Sequence, residues 1–288
     1  VNHTEAAPTI PRVITFPPSA DSETGRWALD YYDIKVDERR HAPPFIFAAI
    51  GLNKGKKFPL FMHDELMLNG VEQILDHFNE RALDNRQLTP DEHRDEIEAH
   101  WKRFNATMGA AVVTWAYTHL LPHRSIMIRP LSLGSPWYQQ QFVRFLYPIP
   151  KTMLWNALKL SRPKADEALK TIEATFAYVD ELLADNRRWL VGDRMTLADL
   201  SFAVSGAPLV LPEGYGGYPG DQGPIPSLEQ WPAEQRAIIK AMRQTRAGQF
   251  ILRMYKEERY RHLNLSTGAP VVQHSTSTKD ERVIDIVE

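Results

Sequence analysis

Apolar positions along this chain first run together, then alternate, then recur every three or four residues, and each change of pattern predicts a different element. Val13-Ile14-Thr15-Phe16 is a short apolar run closed by Pro17-Pro18, which predicts a buried strand ending where proline has no N–H for the ladder. Ser19 to Leu29 is a turn feeding a helix, with Asp21 or Ser22 as its N-cap. Tyr32 to Val36 alternates and predicts a second strand, so a βαβ unit with a right-handed crossover is expected. A polar turn over Asn53–Lys57 leads into a strand entry at Phe58-Pro59. Leu60-Phe61-Met62 and Leu66-Met67-Leu68, around a turn at His63-Asp64-Glu65, predict a hairpin. Asn69 then caps a helix whose apolar positions are Val71, Ile74, Leu75 and Phe78.

Beyond this point the period is helical. Thr89-Pro90-Asp91-Glu92 predicts a capped start with proline at the first helical position, and Trp101, Phe104, Met108, Val112 and Trp115 carry one face on toward Leu120. A second long helix, from about Lys164 to Ala184, aligns Leu169, Ile172, Phe176, Val179 and Leu183, so the two share a bundle seam. Thr196 and Asp199 form a capping box in front of Leu197, Leu200 and Val204, with Ala198 and Ala203 small enough for close packing; this helix is predicted to be buried. Glu213–Ser227, rich in Gly, Pro and Tyr, is a loop, and Trp231–Gln244 and Gln249–Glu258 are further amphipathic helices. Ser125–Pro163 mixes aromatic and basic residues. That mixture suits a membrane surface or an apolar ligand, but a helix or lid packed on the bundle is the favoured reading. The first ten residues lack periodicity and are expected to be a loose arm; after about Leu263 the pattern dissolves into an extended or disordered tail.

Composition narrows the chemistry. The chain has 288 residues, is 43% apolar and carries a net charge of −2, so it can bury a large core and presents no global positive field for nucleic acid or anionic lipid. No apolar run is of membrane-spanning length and no signal segment is apparent, which leaves a cytoplasmic protein as the expectation. There is no cysteine, hence no disulfide, thiolate metal site or cysteine nucleophile. The nearest approach to a metal pattern, His93, Glu96 and His100, lacks a third arm and reads as a solvated helix face, so no metal is expected.

The order of these signals is more informative than any one of them. Ser19-x-x-Ser22 follows the first strand, and Gly55-Lys56-Lys57-Phe58-Pro59-Leu60 precedes the third. A helix follows the fourth, and Trp189-Leu190-Val191-Gly192-Asp193 runs into the capped Thr196–Asp199 helix. From about Arg12 to Arg259 this arrangement resembles the cytosolic glutathione transferases. The resemblance implies an α/β thioredoxin-like N-terminal domain over 11–84 followed by an all-α bundle over 85–262, between the arm at 1–10 and the tail at 263–288. It also implies glutathione as co-substrate, a small apolar electrophile, and a homodimer.

Within that resemblance, Ser19 matches the catalytic Ser or Cys after the first strand, and Ser22, one helical turn on, is its competitor. A thiol with pKa near 8.5 is mostly protonated at neutral pH, so a donated hydroxyl bond and a helix N-terminus would favour the thiolate. Phe58 matches the residue whose backbone pairs with the cysteinyl part of glutathione, a match that requires Pro59 in the cis form. Where the family carries an acidic residue and Ser for the γ-glutamyl end, this chain has Gly70 and Val71 or, shifted by one, Asn69 and Gly70; either alignment removes that side-chain clamp but leaves the helix amides. Trp115, Tyr117 and His119 are candidate walls of the second pocket. Two functions are therefore expected: a transferase using Ser19, or a non-catalytic binding or scaffolding protein that keeps the fold and has lost glutathione.

Overall fold

The computed structural model describes residues 10–261. Apart from Ile10, the expected arm and the expected tail lie outside the described residues. Four short strands, β1 (Arg12–Thr15), β2 (Asp37–Arg40), β3 (Leu60–His63) and β4 (Leu66–Asn69), form a mixed sheet in the order β2-β1-β3-β4. β1 and β2 are parallel, with Arg12 opposite Asp37 and Thr15 opposite Arg40; the other pairs are antiparallel. Helices α1 (Ala20–Tyr31), α2 (Phe45–Leu52) and α3 (Gly70–Arg81) complete this α/β region.

The second strand differs from the sequence expectation. Tyr32–Val36 is not a strand, because the end of α1 consumes it: Tyr32 N–H bonds back to Ala28 O at 2.9 Å, Asp33 takes a left-handed φ of 59°, and Ile34 N–H reaches Leu29 O at 2.8 Å. The real β2 reads Asp-Glu-Arg-Arg, a polar edge strand with no hydrophobic alternation to reveal it. Helix α2 was also not foreseen, so the order is βαβαββα rather than βαβ followed directly by ββα.

The helical region contains α4 (Arg94–Trp101), a π-helical stretch (Lys102–Gly109) and α5 (Ala110–Leu120), which together make the first long rod. Its start is not the predicted one: a 3-10 turn over Asp91–His93 begins after Pro90, and Thr89 N–H is taken by Asn79 Oδ1 at 2.8 Å. The aromatic and basic stretch folds as α6 (Arg124–Ser132), α7 (Trp137–Phe145) and α8 (Pro148–Ala157). Helix α9 (Arg162–Leu182) follows, capped by the Ser161 hydroxyl, then α10 (Leu197–Val210), α11 (Ala233–Gln244) and α12 (Arg246–Arg253).

Nearly all of α10 is buried, and it packs on α1, α4, α5, α11 and α12. Buried amides at its start cannot turn to water, so they need a built acceptor. The Asp199 carboxylate supplies it, accepting Thr196 N–H at 2.8 Å, the Thr196 hydroxyl at 2.8 Å and Leu190 N–H at 2.7 Å. Burial pushes this carboxyl up to about 6, against the opposing pull of those three donors.

A second buried carboxylate locks α1 to the end of the described chain. Glu23 accepts from Arg259 at 2.8 Å, from Arg26 at 3.3 Å and from Gly216 N–H at 3.0 Å. Arg259 also meets Asp30 at 2.6 Å, and Arg26 meets Glu38 at 2.6 Å. The inner side of polar β2 thus closes an ion network, which is why that strand needs no apolar residues.

Candidate functional site

The first turn of α1 sits at the centre of the candidate site. Ser19 N–H bonds to Phe16 O at 3.1 Å, which turns the chain sharply out of β1. The Ser19 hydroxyl then accepts Ser22 N–H at 3.2 Å as the helix N-cap. Ser19 is half-buried, and among the described residues its hydroxyl proton has no acceptor, so it is available to a ligand at the helix N-terminus. Ser22 is different. It is fully buried and its oxygen accepts Phe16 N–H at 3.2 Å, a bond that fixes the turn from the inside.

The Phe58–Pro59 peptide is cis. Gly25 lets α1 approach this proline: a Cβ there would stand 3.2 Å from Pro59 Cγ. Pro59 O accepts Gly70 N–H at 2.9 Å, joining the proline turn to the start of α3. Gly70 has a φ of +84°, a conformation that suits glycine, and a Cβ would also crowd Lys57. Asn69 does not cap α3 with its side chain; its Oδ1 accepts Lys56 N–H at 2.7 Å, and its own N–H goes to Gln73 Oε1 at 2.6 Å.

A cleft opens between these turns, with the charged Asp21, Lys57 and Glu72 set among the apolar Phe47, Ile50 and Phe58 and the backbone of Gly70. Lys57 Nζ and Glu72 Oε2 are 4.0 Å apart. Burial raises the Asp21 carboxyl above its usual range and neighbouring Glu72 adds to this, while Asn105 and Lys57 oppose it. Asp21, Lys57 and Glu72 are the residues that sequence reasoning missed. Their only signal was an acid in the first turn of each helix and a lysine before the proline turn. Val71, by contrast, is buried in the core beneath α3.

On the other side of the same turn lies an apolar cavity bordered by Pro18, Val112, Tyr117, Tyr215, Ile225 and Trp231. Tyr215 donates its hydroxyl to Pro18 O at 3.3 Å and so pins the turn to the cavity wall. Of the three expected wall residues, only Tyr117 lines this cavity; burial raises its hydroxyl well above the usual range. Trp115 is a layer behind, stacked on Trp231 with centroids 5.3 Å apart. His119 is tied to Trp115 O through Nδ1 at 2.8 Å, and burial lowers its pKa. The indole N–H of Trp231 is buried with no acceptor among the described residues. Pro18 borders the apolar cavity and Asp21 the cleft with the three charged residues, so Ser19 stands in the chain between the two.

The fold is that of the glutathione transferases. The family model described as Glutathione S-transferase, C-terminal domain, matches residues 141–213, and two solved structures carry the likeness over nearly the whole chain. One is glutathione transferase GSTFuA3 from Phanerochaete chrysosporium, 12% identical with a TM-score of 0.52, covering 87% of this chain and 97% of that one. The other is the beta-etherase LigF from Sphingobium sp. strain SYK-6, 16% identical with a TM-score of 0.50, covering 84% of this chain and 98% of that one. Comparison with curated protein sequences returned no match. Among the described residues, no helix is long and apolar enough to cross a membrane, and no group of three or more His, Asp or Glu is arranged to hold a metal ion.

Proposed function

We propose that this glutathione-transferase-fold protein binds glutathione, or a closely similar thiol peptide, across the first turn of α1, where the thiolate attacks an apolar electrophile: a carbon–sulfur bond forms, the electrophile's leaving group departs with the bonding pair, and the thiol proton goes to solvent. The observation that carries this reading is the half-buried Ser19 hydroxyl, with a spare proton at a helix N-terminus, between a charged cleft and an apolar cavity. In this reading the thiol sulfur accepts the Ser19 hydroxyl bond and gains from the helix dipole, both of which favour the thiolate. The backbone of Phe58 pairs with the cysteinyl part. Asp21 and Glu72 would take the ammonium of the γ-glutamyl end, and Lys57 or the amides at Gly70 its carboxylate. This replaces the absent acid–Ser pair by charges one to two residues away in α3 and across in α1. The electrophile occupies the cavity beside Tyr117.

The same reading divides the chain into a thiol-binding domain over 11–84 and a helical domain over 85–262. It also carries a homodimer and a cytoplasmic, reducing compartment. A second reading, a non-catalytic binding or scaffolding protein that has lost glutathione, is favoured by one observation: Gly70 and the core-buried Val71 leave no acid–Ser clamp at the start of α3.

Titration calorimetry with reduced glutathione tests the proposal first. Saturable binding with Kd of about 1 mM or tighter, or about −4 kcal/mol, is the expected result; no binding well above that concentration sinks it. Ser19→Ala is expected to remove about 1–3 kcal/mol of transition-state stabilisation while leaving glutathione affinity nearly unchanged. Unchanged turnover in Ser19→Ala would remove Ser19 from the catalytic role, and absence of glutathione binding would favour the second reading.

A further inference from the structure

The helices α6 to α8 present a surface that the thiol site does not use. Residues 99–165 contain nine of the chain's 34 Lys and Arg and none of its 36 Asp and Glu. The net charge near zero therefore hides a locally basic stretch of chain. Some of these cations are neutralised by folding, as when Arg129 meets Asp221 at 2.8 Å. Arg124, Arg144, Lys151 and Lys159 have no ion-pair partner among the described residues.

The exposed face of α7 lies in the middle of these charges. Gln139 and Val143 turn inward, while Trp137, Gln141 and Phe145, spaced at four residues, share the outer face. Trp137 is 75% exposed and Phe145 68%, and Leu146 and Ile149 (46% and 50%) continue the apolar surface into α8. The Arg124 guanidinium donates to Arg144 O at the end of α7, and the Arg144 guanidinium lies 5.8 Å from the Phe145 ring. Tyr138 braces the other end, edge-on to Phe45 of α2 at 5.9 Å. Arg124, Arg144 and Phe145 are thus held together at the end of α7, beside the exposed Leu146.

We propose that this α7–α8 face docks on an anionic lipid surface, with Trp137, Phe145, Leu146 and Ile149 entering the interface and Arg124, Arg144 and Lys151 meeting lipid phosphates. Long basic side chains can lay their stems along apolar surface and hold their charges at headgroup level, and Trp settles at that same level. A symmetric pairing of two copies through this face would set Arg124, Arg144 and Lys151 against themselves, which disfavours a second copy as occupant. Leu146 and Ile149 cannot stack on bases, which disfavours single-stranded nucleic acid.

Flotation of the full-length protein with vesicles tests this, using phosphatidylcholine alone and phosphatidylcholine with about one third phosphatidylserine. The expected result is capture by the anionic vesicles, about tenfold weaker on the neutral ones and reduced by salt. Phe145→Glu and Ile149→Glu should each lower capture about tenfold, and Arg144→Gln should lower it less and weaken the salt dependence. Glutathione titration of the same variants should be unchanged, which separates this face from the thiol site. Failure to float with anionic vesicles overturns the proposal. So does capture that is indifferent to all three substitutions, or a change from dimer to monomer in Phe145→Glu with vesicle capture unaltered.

Discussion

Asp199 and Glu23 are both fully buried carboxylates at helix starts, and they are satisfied in opposite ways. Asp199 is held by donors no more than nine residues away, the amides of Leu190 and Thr196 and the Thr196 hydroxyl, all of them neutral. Glu23 draws one bond from Arg26, three residues away, but the others come from Gly216 and Arg259, 193 and 236 positions along the chain. The first carboxylate stabilises a local turn, and the second staples the α/β region to the end of the described chain. A neutral local clasp and a long-range ion network should therefore respond differently to mutation and to pH.

The largest expected effect is at the network. Arg259→Ala leaves Glu23 buried beside Arg26 alone, and urea unfolding is expected to show a loss of about 3–5 kcal/mol. Pairing Arg259→Met with Glu23→Gln should recover part of that loss, because no unpaired charge remains; no recovery would mean that Arg259 acts mainly by packing on Trp27. Next comes Asp199→Ala, which strands the amides of Leu190 and Thr196 and should cost about 2–4 kcal/mol. Asp199→Asn, which keeps one acceptor oxygen, should cost less.

The pH responses should have opposite signs. The Asp199 carboxyl is raised from 3.8 to about 6, so its contribution to stability is present at low pH and is lost as pH rises through that interval. The advantage of the wild type over Asp199→Asn should shrink from acid toward neutral pH. Glu38 behaves in reverse. Burial raises its carboxyl, but Arg26, Arg40 and the Thr15 hydroxyl outweigh burial and hold it below the ordinary 4.5. Its contribution is present above that value and is lost as pH falls below it, so Glu38→Gln should flatten the acid limb of the stability curve. Parallel slopes for the two variants would abolish the distinction. The smallest effect is Thr196→Ala, about 1 kcal/mol; an unchanged melting temperature would show that the Asp199 bonds to backbone amides suffice.

The site divides along the same line. Ser19, Phe58-Pro59 and Gly70 became candidates through the family resemblance; local rules by themselves mark them only as a turn after a strand, a proline at a strand entry and a helix start. Tyr117 was found by its place on a helix, but its neighbours Trp115 and His119 were carried along although a rotation of 100° per residue sends them elsewhere. Asp21, Lys57 and Glu72 were missed because an acid in a first helical turn is common, and only the folded chain brings three such charges to one cleft.

By itself the sequence determined the elements whose reasons are local: the hairpin with its turn at Asp64, the long seams of α5 and α9, and the capping box that starts α10. Hydrophobic period, caps and turns act over a few residues and can be read without the fold. Tertiary structure decided what depended on distant partners. The polar edge strand β2 is a strand because β1 lies beside it and because Glu38 accepts from Arg26. Glu23 is tolerable in the core only because Arg259 arrives from the far end of the described chain. A buried charge has no local signature, since the free energy that permits it resides in a partner that the chain must fold to meet.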